Sequence, residues 1–150
     1  MAAWVIGYGF IQAFTPKVTG SNQGIISAVK GARLWGFCLA GVSALLAAVI
    51  TFGLYPTWSL LIGLSIFGVV FAMNSSIHSY LILAYTERDA VSANVGFYYM
   101  ANAVGRLSGT LFSGIIYLAA GLVGCLWAAA LFCGISAIVS LKFPMKSNAE

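Results

Sequence analysis

Between Asp89 and Lys142 the chain runs 52 residues with a single charged side chain, Arg106. It lies about halfway along an apolar segment, too deep for its guanidinium to snorkel to water, and an arginine there costs about 2.5–3.5 kcal/mol. Arg106 therefore has to face a bundle interior or an aqueous cavity. At helical steps of three, four and seven, Tyr99, Asn102, Thr110, Ser113 and Tyr117 fall on its face. A guanidinium bracketed by amide, hydroxyl and phenol groups suits a phosphate, carboxylate or arsenate group, because it offers a planar fork of donors and keeps its charge at any accessible pH. The alternative is that Arg106 pairs with a carboxylate or backbone carbonyl on a helix outside this chain. Substrate contact is the preferred reading and the alternative stays open.

Gly105 and Gly109 form a GxxxG spacing, and Gly114 extends the small residues along the same segment. Small residues let helix backbones approach in lipid, so these three are assigned to helix packing. A second polar patch contains Asn74, Ser75, Ser76, His78 and Ser79, with Asn74 and His78 four apart on one face. His78, as the residue type whose unperturbed pKa lies near neutrality, is a candidate for proton coupling together with Asn74, although a lone membrane histidine is more often a hydrogen-bonded packing residue.

The elements that must position these residues follow from the charge-free runs. Arg33 to Glu87 encloses 53 residues without Asp, Glu, Lys or Arg. A hydrocarbon core of about 30 Å needs roughly 20 apolar residues per helix, so each run holds two spans and a turn. The expected spans are 34–54, 58–85, 93–119 and 126–141. Turns are expected at Tyr55-Pro56-Thr57, at Thr86 to Asp89 and over Gly121 to Gly124. Ala2 to Phe14 reads as the tail of a further helix ending at Thr15-Pro16-Lys17, and Thr19 to Arg33 as a loop with a short interfacial helix around Ile25 to Val29. The fold class is all-α integral membrane: four complete transmembrane helices plus a partial N-terminal one, with the bilayer as first partner. Trp4, Trp35, Trp58 and Trp127 lie near span ends and read as interfacial anchors.

Composition agrees, since 61% hydrophobic and 7% charged residues leave more apolar surface than one soluble core of this size can hide. The formal charge of +4 would point to nucleic acid in a soluble protein. Here Lys17, Lys30, Arg33, Arg88, Lys142 and Lys146 all fall in connections on one side, and the opposite turns carry none, so nucleic acid is excluded as a partner. By the positive-inside rule that side is cytoplasmic, which puts the C-terminus inside, and the expected location is the inner (plasma) membrane. No signal peptide is indicated. Cys38, Cys125 and Cys133 lie in apolar runs without metal-ligand spacing, so neither a metal nor a cofactor is expected. An enzyme is ranked last, because no acid–base pair can be assembled within a span. Glu87, Arg88 and Asp89 read as a solvated connection that caps two helix ends.

Two runs carry a family resemblance: Trp4-Val-Ile-Gly-Tyr-Gly9 with Gln12-Ala-Phe-Thr-Pro-Lys-Val18, and the long Asn94 to Gly114 segment around Arg106. The chain resembles the C-terminal part of a major facilitator superfamily transporter and is similar to the ArsJ family of organoarsenical efflux permeases. The resemblance implies a partial major-facilitator-type bundle in which residues 1–150 correspond to about the eighth helix tail through the twelfth. It also implies export of an anionic small molecule, 1-arseno-3-phosphoglycerate, giving arsenate resistance. A family member has twelve spans with its site between two halves, so the N-terminal helices of the same transporter become expected partners, and the chain reads as a fragment. The rival reading is a non-transporting membrane scaffold or assembly subunit, which has no need of a buried cation. With the native cysteines replaced, Ser21→Cys and Ser147→Cys should react only with reagent applied from the cytoplasmic face, and labelling of either from outside intact cells would overturn the orientation.

Overall fold

The computed structural model describes residues 2–19, 24–86 and 91–142. Among them run four helices and no strand: α1 (Ala2–Thr19), α2 (Ile25–Thr51), α3 (Pro56–Tyr85) and α4 (Val91–Ser140). The last three are long and apolar enough to cross a membrane, so the protein is an all-helical membrane protein. The expected charged turn at Glu87, Arg88 and Asp89 lies outside the described residues, as do Ser21 and the tail containing Lys146 and Ser147.

α1 does not stop where the sequence reading ends it. Pro16 has no N–H, which leaves the carbonyl of Gln12 without its intrahelical donor. In lipid that oxygen needs another partner, and the Ser76 hydroxyl on α3 donates to it at 3.4 Å. The Thr15 hydroxyl donates to Ile11 O at 2.7 Å one turn back, and the helix continues to Thr19.

α2 also corrects an expectation. The interfacial helix around Ile25 and the span from Leu34 are one continuous element starting after Gly24, whose φ of 124° breaks the chain there. Lys30 and Arg33 do not interrupt it. Lys30 is exposed, and Arg33 reaches across to donate through Nη2 to Leu141 O at 2.9 Å, one of the carbonyls that the end of α4 leaves unpaired. Ala28, Val29 and Ala32 on the same turns are fully buried against Ile77 and Leu81 of α3. The α2–α3 turn lies at 52–55 rather than at Tyr55 to Thr57. Gly53 (φ 69°) and Tyr55 (φ 41°) make the reversal, and Pro56 opens α3, where its missing N–H is one of the unpaired donors in any case.

The expected third and fourth spans are two helical arms that meet at a single non-helical residue within α4, so the described elements are four helices, with the expected turn compressed into one residue. Gly121 has φ 63° and ψ −161°, a region open essentially to glycine alone. The interruption is a reversal. Cys125 Sγ lies 3.5 Å from Ser113 O, and a Cβ placed on Gly124 would meet Ile116 Cγ2 at 3.3 Å. In a straight helix, 12 residues are about 18 Å apart. α4 therefore folds into two arms, 91–120 and 122–140, with Gly124 at the closest approach.

Neighbouring helices follow from the contacts. α1 runs parallel to α3, with Tyr8 on Phe71 (ring centroids 6.2 Å apart) and Gln12 beside Ser76. α2 is antiparallel to α3, with Gly63 against Leu46 and Gly31 against Ile77. The second arm of α4 is antiparallel to α2, joined by Gly36 on Ala137, Ser43 on Cys133 (3.8 Å) and the Trp127 Nε1 donating to Thr51 Oγ1 (3.2 Å).

Gly121→Ala should destabilise the reversal by roughly 1–3 kcal/mol, and Gly124→Ala should open it because the new Cβ overlaps Ala120 Cβ. A short bifunctional thiol reagent should link Ser113→Cys to Cys125 in the otherwise unchanged chain and give lower yield in either glycine variant. Failure of that link in the parent background would contradict the fold-back.

Candidate functional site

The polar stripe lies on the first arm of α4. At about 100° per residue, Tyr99, Asn102, Arg106, Thr110, Ser113 and Tyr117 share one side of the arm. Every one of them is exposed. From Tyr99 to Tyr117 is 18 residues, or about 27 Å of helix, close to the thickness of a hydrocarbon core. Among the described residues nothing hydrogen-bonds or ion-pairs with the Arg106 side chain. Its backbone carbonyl accepts the Thr110 hydroxyl at 2.9 Å, so the Thr110 proton is already committed and the hydroxyl oxygen offers only lone pairs. The donors left for an anion are the Arg106 fork, the Asn102 amide, the Ser113 hydroxyl and the phenols of Tyr99 and Tyr117.

The first arm is held near its ends. At the start, Ser79 Oγ and Tyr98 Oη are 3.3 Å apart, and Asn94 Nδ2 donates to Thr86 Oγ1 at 3.5 Å. At the far end it meets the second arm through the Gly121 reversal. Between, Ser108 and Ile116 apart, every residue from Tyr99 to Ala120 is exposed. Gly105, Gly109 and Gly114, expected to pack helices, face open space: a Cβ on any of them would meet nothing within 4 Å.

Close packing falls instead on the α2–α4 seam. Gly36, Ala40, Ser43 and Ala47 recur every three or four residues on α2, and Ala130, Cys133, Ala137 and Ser140 do so on α4. The seam is close enough that a Cβ on Gly36 would sit 3.6 Å from Ala137 Cα. That period was present in the sequence, hidden because alanine and serine are common everywhere in an apolar chain.

His78 and Asn74 are joined through the backbone. His78 Nδ1 lies 2.9 Å from Asn74 O, an acceptor, so Nδ1 is the protonated nitrogen. The Asn74 side-chain oxygen is buried and accepts no hydrogen bond. His78 lines a cleft of about 480 Å³ between α3 and α4, with Tyr85, Thr86, Asn94 and Tyr98 as its other polar walls. Arg106 lies eight residues beyond Tyr98, roughly 12 Å along α4, so the two polar patches are separate along the helix. No three His, Cys, Asp or Glu side chains converge on a metal position among the described residues.

Comparison with family models, curated proteins and solved structures finds no match to the chain.

The two glycine groups should respond oppositely in the isolated chain. Gly36→Leu should destabilise the α2–α4 seam by about 1–3 kcal/mol through overpacking, whereas Gly105→Leu and Gly109→Leu should leave the detergent-solubilised chain within about 0.5 kcal/mol of the parent. Thermal unfolding followed by helical circular dichroism checks both, and equal sensitivity at the two places would contradict the packing.

Proposed function

We propose that this chain is part of a membrane efflux transporter for an anionic organoarsenical and that Arg106 holds the anionic head of the cargo. The observation that carries the reading is Arg106 itself: a permanent cation midway along a polar stripe about 27 Å long, with no protein partner among the described residues. A cation at that depth is tolerated only beside an anion or an aqueous path, and a translocation pathway provides both. The resemblance of the Asn94 to Gly114 run supplies the cargo, 1-arseno-3-phosphoglycerate, and a major-facilitator-type arrangement. In this reading both arms of α4 cross the inner membrane, and the end carrying Lys17, Lys30, Arg33 and Lys142 faces the cytoplasm, as does the C-terminus. Further helices of the same transporter cover the open Gly105 and Gly109 positions and supply the opposing wall of the pathway. The cleft beside His78 lies at the cytoplasmic end of the arm, where proton uptake would be coupled to cargo movement.

The open glycine positions also favour a second reading, a non-transporting scaffold whose first α4 arm docks a partner helix. Arg106 separates the two, because a docking helix gains nothing from a cation in hydrocarbon.

In everted vesicles carrying the complete transporter, Arg106→Lys should assemble normally but accumulate the organoarsenical about tenfold more slowly, through loss of a bidentate charge-assisted pair. Arg106→Ala should abolish accumulation at equal protein amount. Unimpaired uptake by the alanine variant would rule out the anion-binding role, and loss of assembly with uptake intact per assembled complex would favour the scaffold.

A further inference from the structure

A groove of about 430 Å³ runs between α2 and α3 beside the turn that joins them, with no residue of α4 in its walls. Val42, Leu45 and Val49 wall it on α2, and Trp58, Ile62 and Ile66 on α3. Spacings of three and four put each set on one side of its helix, so the groove follows the helix axes and runs across the bilayer, as an acyl chain does. Trp58 to Ile66 is eight residues, about 12 Å of helix. Gly63 sets the floor: a Cβ there would sit 2.5 Å from Leu46 Cδ1. The missing side chain lets Leu46 close the floor and leaves the groove open above it.

Polar groups lie only at the end by the turn. The Ser59 hydroxyl donates to Leu54 O at 2.7 Å, so its proton is committed. Tyr55 and Trp58 are exposed, and among the described residues neither the phenol nor the indole N–H donates to the protein. Tyr55 is also the one non-glycine residue among those described with a positive φ, at 41°, a conformation unfavourable for a bulky side chain. Glycine would make the same turn without that cost. The strain therefore attaches to what the tyrosine ring does at the mouth of the groove.

The walls select among occupants. Water gains nothing against apolar side chains, since it needs two to four polar partners. Helices that associate in lipid bring small residues together, yet the rim consists of Leu45, Ile62 and Ile66, all exposed, and the small residues Gly36 and Ser43 of α2 are turned to α4. A flexible acyl chain fits such a rim, and the groove is continuous with the lipid-facing surface of two helices long and apolar enough to span. We infer that the α2–α3 groove binds one glycerophospholipid, with an acyl chain along Val49 and Ile66 and with ester or phosphate oxygens accepting from the Tyr55 phenol and the Trp58 indole. The inference does not depend on Arg106 or on what α4 transports.

Native mass spectrometry of the full chain in detergent, titrated with dioleoyl phosphatidylglycerol, tests it. One lipid should bind at least about tenfold more tightly than the next, and dioleoyl phosphatidylethanolamine should behave alike because the accepting oxygens are common to both. Dihexanoyl phosphatidylglycerol, with the same headgroup, should bind at least about tenfold more weakly through lost methylene burial. Tyr55→Phe keeps the ring and should weaken the tight site about fivefold through one lost hydrogen bond. Val49→Phe and Ile66→Phe should fill the groove and remove the tight site, whereas Leu131→Phe, exposed on the second α4 arm, should leave it unchanged. Helical circular dichroism checks that each variant folds, and Ile66→Phe, at an exposed position, carries the test should Val49→Phe fail to fold. A ladder of lipids of equal affinity, equal binding of the short-chain lipid, or a tight site kept by folded Ile66→Phe overturns the inference.

Discussion

In hydrocarbon every backbone N–H and C=O has to be satisfied by the protein, because no water is at hand and each unpaired group costs several kcal/mol. That requirement decides more of this structure than side-chain packing does. It makes every described element a helix and turns proline into a tertiary contact, since the carbonyl that Pro16 leaves free on α1 is met by Ser76 of α3. It places Arg33 on a carbonyl at the end of α4. It also favours a reversal as short as the one at Gly121, where a single residue in a glycine-only conformation parts two helical arms with few backbone groups left unpaired.

The same constraint bears on the first arm of α4 from the other direction. Its backbone is satisfied internally, so the arm can stand with little lateral support between Tyr98 and the Gly121 reversal. Its side chains are then the unsettled part. Leu107, Leu111 and Leu118 suit lipid or a partner helix, while the stripe through Arg106 suits neither unless water or an anion accompanies it. The first arm is thus amphipathic, and its polar side is the one that the proposed pathway would use.

Helix type and the approximate spans were legible because they rest on hydropathy and charge spacing alone, and the stripe itself was visible in the three and four spacing of Tyr99 to Tyr117. Boundaries were not. Lys30 and Arg33 look like a loop when charge is taken to end a span, yet a long basic side chain can sit at a helix edge while Ala28, Val29 and Ala32 beside it pack against α3. Pro16 looks like a stop until a neighbouring hydroxyl is available for Gln12. The Gly121 to Gly124 segment reads as a turn, but which glycine reverses and which allows the arms to approach depends on φ and on Ile116 and Ala120 opposite. The packing seam was missed for a related reason. Gly105 and Gly109 present the stronger motif, whereas Gly36 and Ala137 are the residues that meet, and only tertiary contacts distinguish a used small-residue face from an open one.

The account turns on whether the Arg106 side of α4 meets water inside the membrane. Single cysteines placed from Tyr99 to Leu118 in the proposed complete transporter, in a background with native cysteines replaced, can be challenged with a membrane-impermeant, water-soluble thiol reagent. Reaction at positions 99, 102, 106, 110, 113 and 117, slowed by the organoarsenical and absent at 107, 111 and 118, is the predicted pattern. Uniform protection of the stripe, or reactivity without helical period, would contradict it.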